Sequence, residues 1–286
     1  MKIGIIGNGF VGKATRILMS EKVNIMVYDI VPELCEPFGL TLEKLCNETD
    51  IIFISVPTPT NKDGSCHLSI LNLVVSNIET YSNLNEKLVV IRSTVPPGTS
   101  DNLNCYFMPE FLTEKNFKKD FINNKNWIFG LKGTEQDKFF KEIVLDLINI
   151  SYLQKKIKYN NVNFLLNSEA EMVKLFRNNF LALKVSFCNE IADFCSKKNI
   201  DYEKVRVQAT DDNRIGTSHS KVPGPDGHYG FGGTCFPKDT KSLLNEMKII
   251  DMKSYIISSM DERNDTVDRK EADWKNNKGR SVVDYT

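Results

Sequence analysis

The chain has 286 residues, enough for one large or two ordinary domains. Its 41% hydrophobic and 26% charged residues are the mix of a soluble globular protein, and its 37 basic and 37 acidic residues cancel. With no basic block and no apolar run near the ~18 residues of a membrane span, nucleic-acid binding through phosphates and membrane insertion are not expected.

The first stretch, KIGIIG, reads as a buried strand rather than a secretory leader, being too short and too rich in glycine for one. NIMVYD, IIFISV and KLVVIRS follow as further apolar runs of strand length. Polar or amphipathic stretches such as LEKLCNET and LSILNLVVSNIE separate them. Such alternation predicts βαβ units and a parallel sheet, a doubly wound α/β domain of Rossmann type over residues 1–165. At Ser168 the texture changes. Ser168 with Glu171 matches an S-x-x-E capping box, and about 30 residues without Gly or Pro follow. The spacing predicts a long helix, apolar on more than one face, that opens a helical domain over 166–260. KVPGPDGHYGFGG predicts irregular backbone. Residues 261–286 read as a polar, exposed tail with Trp274 as its anchor.

Gly7, Gly9 and Gly12 form G-x-G-x-x-G directly after the first strand and at the start of a helix, with Phe10 and Val11 between the glycines. Asp29 ends the second strand, 22 residues after Gly7. That context predicts a dinucleotide site: a tight turn at Gly7, pyrophosphate against Gly9, close helix–strand packing at Gly12, and ribose hydroxyls on Asp29. An acid there repels a 2′-phosphate, so NAD is expected rather than NADP. The seven cysteines, at 35, 46, 66, 105, 188, 195 and 235, are odd in number and form no CxxC pair, which suits the reducing cytoplasm. The three histidines have no metal-ligand spacing, so no metal is expected.

GFGGTCFPKD, residues 230–239, crowds three glycines before Cys235 and places Lys238 after it. Close backbone approach and a nearby ammonium are what a reactive thiolate needs. This stretch resembles the catalytic-cysteine motif of the UDP-glucose/GDP-mannose dehydrogenase family. GNGFVG at 7–12, SVPTPT at 55–60, RSTVPPGTS at 92–100, MPEFLTE at 108–114, EMVKLFRNNFLALKVSFCNE at 171–190 and DDNRIG at 211–216 resemble further stretches of that family in the same order.

The resemblance implies NAD-dependent oxidation of the C6 alcohol of a nucleotide sugar, UDP-glucose by default, to a carboxylate in two hydride transfers, as in polysaccharide biosynthesis. It implies Cys235 as nucleophile, Asp239 as an acid handling protons through a water, and Lys174 with Asn178 as oxyanion donors. Their spacing of four puts both on one helix face. It further implies Glu110 as the carboxylate assisting thioester hydrolysis, and Thr94 as the hydroxyl positioning a water and facing the cofactor. The resemblance implies Thr58 and Glu114 as part of the wall at the nicotinamide end, and Phe111, Leu112 and Gly232 as lining of the sugar site. Arg214 reaches the substrate of a second subunit, so a homodimer through the long helix is expected. The family commonly carries a second nucleotide-binding domain after that helix. Here a short polar segment stands in its place, and the loop with His219, Lys221 and Tyr229 is the candidate for the missing contacts.

Read alone, these positions have ordinary alternatives. Lys174 and Asn178 suit a solvated helix face, Glu110 a loop acid, Thr94 a turn, Asp239 a helix N-cap, Arg214 a surface ion pair and His219 a surface loop. Two other functions stay open: a two-electron β-hydroxyacid-type dehydrogenase, and a non-catalytic remnant that binds NAD or nucleotide sugars.

Overall fold

A computed structural model of the chain describes residues 1–285. It divides into two compact units, Met1–Thr58 with Leu68–Lys174, and Pro59–His67 with the chain from Leu175 onward.

The first unit is built on a sheet of seven strands: β1 (Lys2–Ile6), β2 (Asn24–Tyr28), β3 (Ile51–Ile54), β4 (Leu88–Ile91), β5 (Tyr106–Phe107), β6 (Trp127–Leu131) and β7 (Val162–Leu166). Their order is β2-β1-β3-β4-β5-β6-β7, and every pairing is parallel except β5 with β6. Its helices are α1 (Phe10–Thr15), α2 (Leu42–Glu48), α3 (Ser69–Glu79), α4 (Thr99–Asn102), α5 (Phe117–Ile122) and α6 (Gln136–Leu153). The long α7 (Asn167–Lys197) starts in this unit and continues into the second.

Alternate side chains of one strand serve opposite faces of the sheet. Ile3, Ile5, Ile51, Phe53, Leu88 and Val90 belong to one core together with Leu18, Phe140 and Leu147. Ile6, Ile52, Ile54, Val89 and Ile91 belong to another, with Leu45 of α2 and Leu71, Val75 and Ile78 of α3. Helices therefore cover both faces, the doubly wound arrangement expected from the apolar runs. Those three α3 side chains, spaced four and three apart, are all buried, each worth roughly 1.5–3 kcal/mol. The first strand order reversal falls at β1, between β2 and β3, and in such sheets a crevice opens at the carboxyl ends there.

The second unit holds the rest of α7, then α8 (Tyr202–Thr210), α9 (Phe236–Ile249) and α10 (Ile256–Arg263). Ala182, Phe231 and Met260 form its small apolar centre. Residues 261–285, the described part of the expected tail, do not form a separate exposed segment. The α10 helix runs across the expected boundary at 260 and continues into one π-helical turn, Asn264–Asp268. Asn264, Arg269, Trp274 and Ser281 are buried. Several polar residues beyond 260, Arg263, Asn264 and Arg269 among them, make internal hydrogen bonds, which a reading of polarity as exposure misses.

The capping box read from Ser168 and Glu171 does not form either. The α7 helix follows β7 without a loop, and Glu169 accepts the Leu166 N–H at 2.8 Å. Glu171, wholly buried, accepts instead from Gly98 N–H (2.6 Å) and Ser100 N–H (2.8 Å), holding the start of α4. Burial pushes its pKa up to about 7, against the opposing pull of the Ser100 and Gly98 hydrogen bonds. Because the folded value exceeds the ordinary 4.5, this carboxyl contributes most to stability below pH 4.5, and the contribution is lost as pH rises to about 7. The stability of the wild type relative to Glu171→Gln, measured by urea unfolding, is expected to fall by up to about 3 kcal/mol over that window, at about 1.4 kcal/mol per pH unit. A flat difference would contradict the assignment.

Candidate active site

The turn after β1 is shaped by close backbone contacts. Gly7 has φ +92°, and a Cβ there would strike the Ser55 carbonyl in the loop leaving β3. A Cβ on Gly12 would strike the Gly7 carbonyl, whereas one on Gly9 would meet nothing within 4 Å. Two glycines thus permit the turn, and the third leaves its outer side open. Asp29, just after β2, is fixed by main-chain donors: Asn8 N–H to Oδ2 (2.7 Å) and Val31 N–H to Oδ1 (3.0 Å). Each oxygen keeps lone pairs for ribose hydroxyls. Phe10 and Val11 open α1, whose N-terminal N–H groups face the turn. These residues fit the pyrophosphate and adenosine ribose of NAD.

In the same unit the loops after β3 and β4 are stitched together. Thr58 donates to the Thr94 carbonyl at 2.7 Å, and Ser93 bonds both Val56 N–H (3.1 Å) and the Val56 carbonyl (2.6 Å). Thr58 and Thr94 thus lie side by side, while Glu114 sits exposed on the 3₁₀ turn Glu114–Asn116.

The loop after β5 carries Glu110, Phe111 and Leu112. Lys174 Nζ, 3% exposed, donates to Glu110 Oε1 (2.6 Å) and to the Glu110 carbonyl (2.7 Å). The other carboxylate oxygen accepts from Leu112 N–H at 2.8 Å, and the Phe111 ring lies 5.8 Å from the ammonium. Lys174 is therefore not on a solvated helix face, and Glu110 is no ordinary loop acid. Arg92, also buried, adds positive charge: burial draws its pKa down to about 10 while Glu110 opposes the shift.

In the second unit, Cys235 is the residue before α9 and Pro237 lies in the helix's first turn. Its thiol is partly exposed, with Thr234 Oγ1 3.8 Å away. Lys238 and Asp239 are buried and joined at 2.6 Å. The second Asp239 oxygen accepts from Asn178 Nδ2 at 2.5 Å, and Asn179 Nδ2 reaches the Asp239 carbonyl at 3.3 Å. Burial pulls the Lys238 pKa down, but the charge on Asp239, with Cys66 and Cys235, more than reverses this and keeps the ammonium charged. Asp239 is not the N-cap of α9. It lies inside the first turn, its N–H bonded to the Cys235 carbonyl, and its carboxylate is engaged with Lys238 and Asn178.

Two expected substrate contacts stand further out. Arg214 is 89% exposed on its side chain and doubly bonded to Asp212 two residues away. His219, at φ +59°, sets its ring 5.6 Å from that of Phe236, beside the start of α9. The Lys184 ammonium and partial burial hold its pKa below the usual value, burial being the larger cause.

The sequence alone missed what holds the cysteine loop. Asn264 donates to the Phe231 carbonyl (3.0 Å) and accepts from Phe231 N–H (2.8 Å), and Asn189 accepts from Gly230 N–H (3.1 Å). Arg269 lies against Gly232, where any Cβ would strike its guanidinium, and is fixed by Asp226 and Asp273, each at 2.7 Å. The crowding around Gly230 and Gly232 is thus a contact with residues 264–269 rather than open room for a ligand. Asn264→Ala would leave the Phe231 N–H and carbonyl buried without partners. It is expected to cost about 2–4 kcal/mol in urea unfolding of the whole chain, at roughly 1–3 kcal/mol per group.

Comparison with known proteins gives two family matches: the NAD binding domain of the UDP-glucose/GDP-mannose dehydrogenase family over residues 37–148, and its central domain over 168–266. A UDP-glucose 6-dehydrogenase of Campylobacter jejuni is 30% identical across 85% of this chain and 67% of its own. One from Rickettsia bellii is 29% identical across 91% and 66%. The chain spans about two thirds, or less, of the curated relatives it matches, 66% and 61% for those of Rickettsia typhi and Bacillus subtilis. Among solved structures, a UDP-glucose dehydrogenase from Pyrobaculum islandicum superposes with TM-score 0.75 at 26% identity, covering 91% of this chain and 68% of that one. A Mycobacterium tuberculosis 3-hydroxyisobutyrate dehydrogenase matches in fold alone, with TM-score 0.68 at 14% identity over 95% of both chains. The glycine turn, the buried acid–ammonium pairs and the cysteine at the start of α9 thus stand in a chain that belongs to the UDP-glucose/GDP-mannose dehydrogenase family.

Proposed function

We propose that the chain oxidises the C6 alcohol of a nucleotide sugar, UDP-glucose first among them, to the carboxylate. The observation that carries this reading is Cys235 at the start of α9 with a buried, charged Lys238 behind it. A charged ammonium within coulombic reach of the sulfur favours its thiolate, as does a helix N-terminus.

Bound NAD supplies the hydride acceptor for two successive two-electron oxidations. The protein's own part begins once the alcohol has become an aldehyde. The Cys235 thiolate forms a C–S bond to the carbonyl carbon, and the carbonyl oxygen becomes an oxyanion. Lys174 and Asn178, four apart on α7, donate hydrogen bonds to it, an effect worth a few kcal/mol per donor. After the second oxidation the adduct is a thioester. Water positioned by Thr94 attacks it, Glu110 accepts the water's proton, the C–S bond breaks, and the acid and the thiolate are released. Asp239 manages protons near C6 through a water while Lys238 balances its charge.

Supplying NAD and UDP-glucose is expected to yield two NADH for each UDP-glucuronate. Cys235→Ser is expected to lower that turnover by roughly 10³-fold or more. Full four-electron turnover by that variant would overturn the mechanism. One NADH per substrate, with no adduct on Cys235, would favour a β-hydroxyacid-type dehydrogenase, the reading that the likeness in fold to 3-hydroxyisobutyrate dehydrogenase suits. Tight binding without turnover would favour a binding protein. A cytoplasmic setting suits the seven free cysteines, and among the described residues no helix is long and apolar enough to cross a membrane.

The same reading makes the protein a homodimer through α7, with Arg214 directed at the partner's substrate. Phe176, Phe180, Phe187 and Phe194 are each more than half exposed along that helix, the last three at a seven-residue spacing that keeps to one side. A row of exposed aromatic rings is the kind of surface that pairs with a second copy. Phe187→Glu is expected to shift sedimentation equilibrium from dimer to monomer; an unchanged mass would argue against this face.

A further inference from the structure

Within the second unit, the segment Pro59–His67, one side of α9 and residues 274–285 enclose a cavity of about 680 Å³. Of the residues given a part in the proposed reaction, its lining shares Lys238 alone. Cavities of roughly 300–1,000 Å³ are the size that holds small organic ligands.

Its lining divides by chemistry. Pro237, Leu244 and Val282 make an apolar wall, with Trp274, 2% exposed, packed behind it. Lys62, Lys248 and Lys275 are exposed at it, and among the described residues none has a carboxylate within ion-pair distance. Lys241, by contrast, is outnumbered by Asp261 and Asp265, each at 2.9 Å, which leaves one carboxylate in excess. Asp63, held ionised by Ser65, and that excess carboxylate offset two of the three exposed ammonium charges, so the rim keeps one positive charge in balance. Two hydroxyls in the same wall, Thr60 Oγ1 and Ser281 Oγ, are buried without a hydrogen-bond partner among the described residues. Such groups cost roughly 1–3 kcal/mol each unless something satisfies them.

An apolar wall with an indole behind it, a positive rim and unsatisfied hydroxyls suit a flat aromatic base joined to phosphate. We propose that this cavity binds a nucleotide as an effector. Pro237 and Lys238 are part of the lining, so the occupant would rest against the helix that begins after Cys235. The lining contains no cysteine or histidine among the described residues, so it presents no thiol or imidazole for catalysis.

Trp274 and Trp127 are the two tryptophans, and Trp127 is buried in the first unit. In Trp127→Phe, fluorescence therefore reports on Trp274 alone. ADP, UDP and inorganic phosphate would be titrated with NAD present at saturation, and calorimetry on the unmodified chain would repeat the measurement should that variant fold poorly. ADP or UDP is expected to quench Trp274 and to bind at least about tenfold more tightly than phosphate. The double change Lys248→Glu with Lys275→Glu is expected to weaken that binding about tenfold or more, tenfold being about 1.4 kcal/mol, without changing NAD affinity. No quench or heat at several millimolar, equal affinity for phosphate and nucleotide, or unchanged affinity in the double variant would each overturn the proposal. NADH production by the double variant without added ADP or UDP reports separately on the reaction proposed above.

Discussion

Asp239 has no access to solvent, and the need to balance its charge organises the first turn of α9 after Cys235. One carboxylate oxygen is met by the ammonium of the next residue, the other by the amide of Asn178 on α7. The Asp239 carbonyl is met by Asn179, so side chain and backbone are both held. A buried ion pair of this kind adds little net stability compared with apolar packing, but removing either partner strands a charge. It is better understood as a positioning device. It fixes the first turn of α9, and with it the place from which the Cys235 sulfur projects.

The first unit meets the same demand in other ways. Lys174 and Glu110 form a pair that is almost completely buried, and Lys174 also takes up the Glu110 carbonyl, so the β5 loop is tied to α7 twice. Glu171, one turn earlier on α7, has no cation in contact among the described residues and uses main-chain N–H groups instead. Two N–H donors compensate less of the cost of burial than an ammonium does, which is why the Glu171 pKa is displaced upward. Successive turns of one helix thus carry a carboxylate, an ammonium and an amide, each with a different way of being desolvated. An oxyanion stabiliser is effective for the same reason: it has been placed before the charge develops.

Residues 261–285 show how composition can mislead about role. Part of their polarity is spent internally. Asn264 copies a strand partner for Phe231, pairing with its N–H and its carbonyl, and Arg269 packs flat where Gly232 has no side chain. Asn264 and Arg269 are the residues of this segment that hold the cysteine loop in place.

Sequence alone determined the elements whose signal is local. Apolar runs of strand length set β1 to β4, and a stretch free of Gly and Pro set α7. Gly7, Gly9, Gly12 and Asp29 announced a dinucleotide turn because its geometry restricts which residues each position accepts. The ordered motifs pointed to Cys235, Lys174, Asn178, Glu110 and Asp239 together. Tertiary structure decided which of these touch: Lys174 with Glu110, Asn178 with Asp239, Thr58 with Thr94. It also decided that Glu171 serves the Gly98 turn rather than its own helix end, and that Asn264 and Arg269 are interior residues. A polar side chain looks the same in a sequence whether water or a distant backbone group satisfies it. Only the folded chain brings the partner, 33 residues away for Asn264 and 73 for Glu171, within hydrogen-bonding distance.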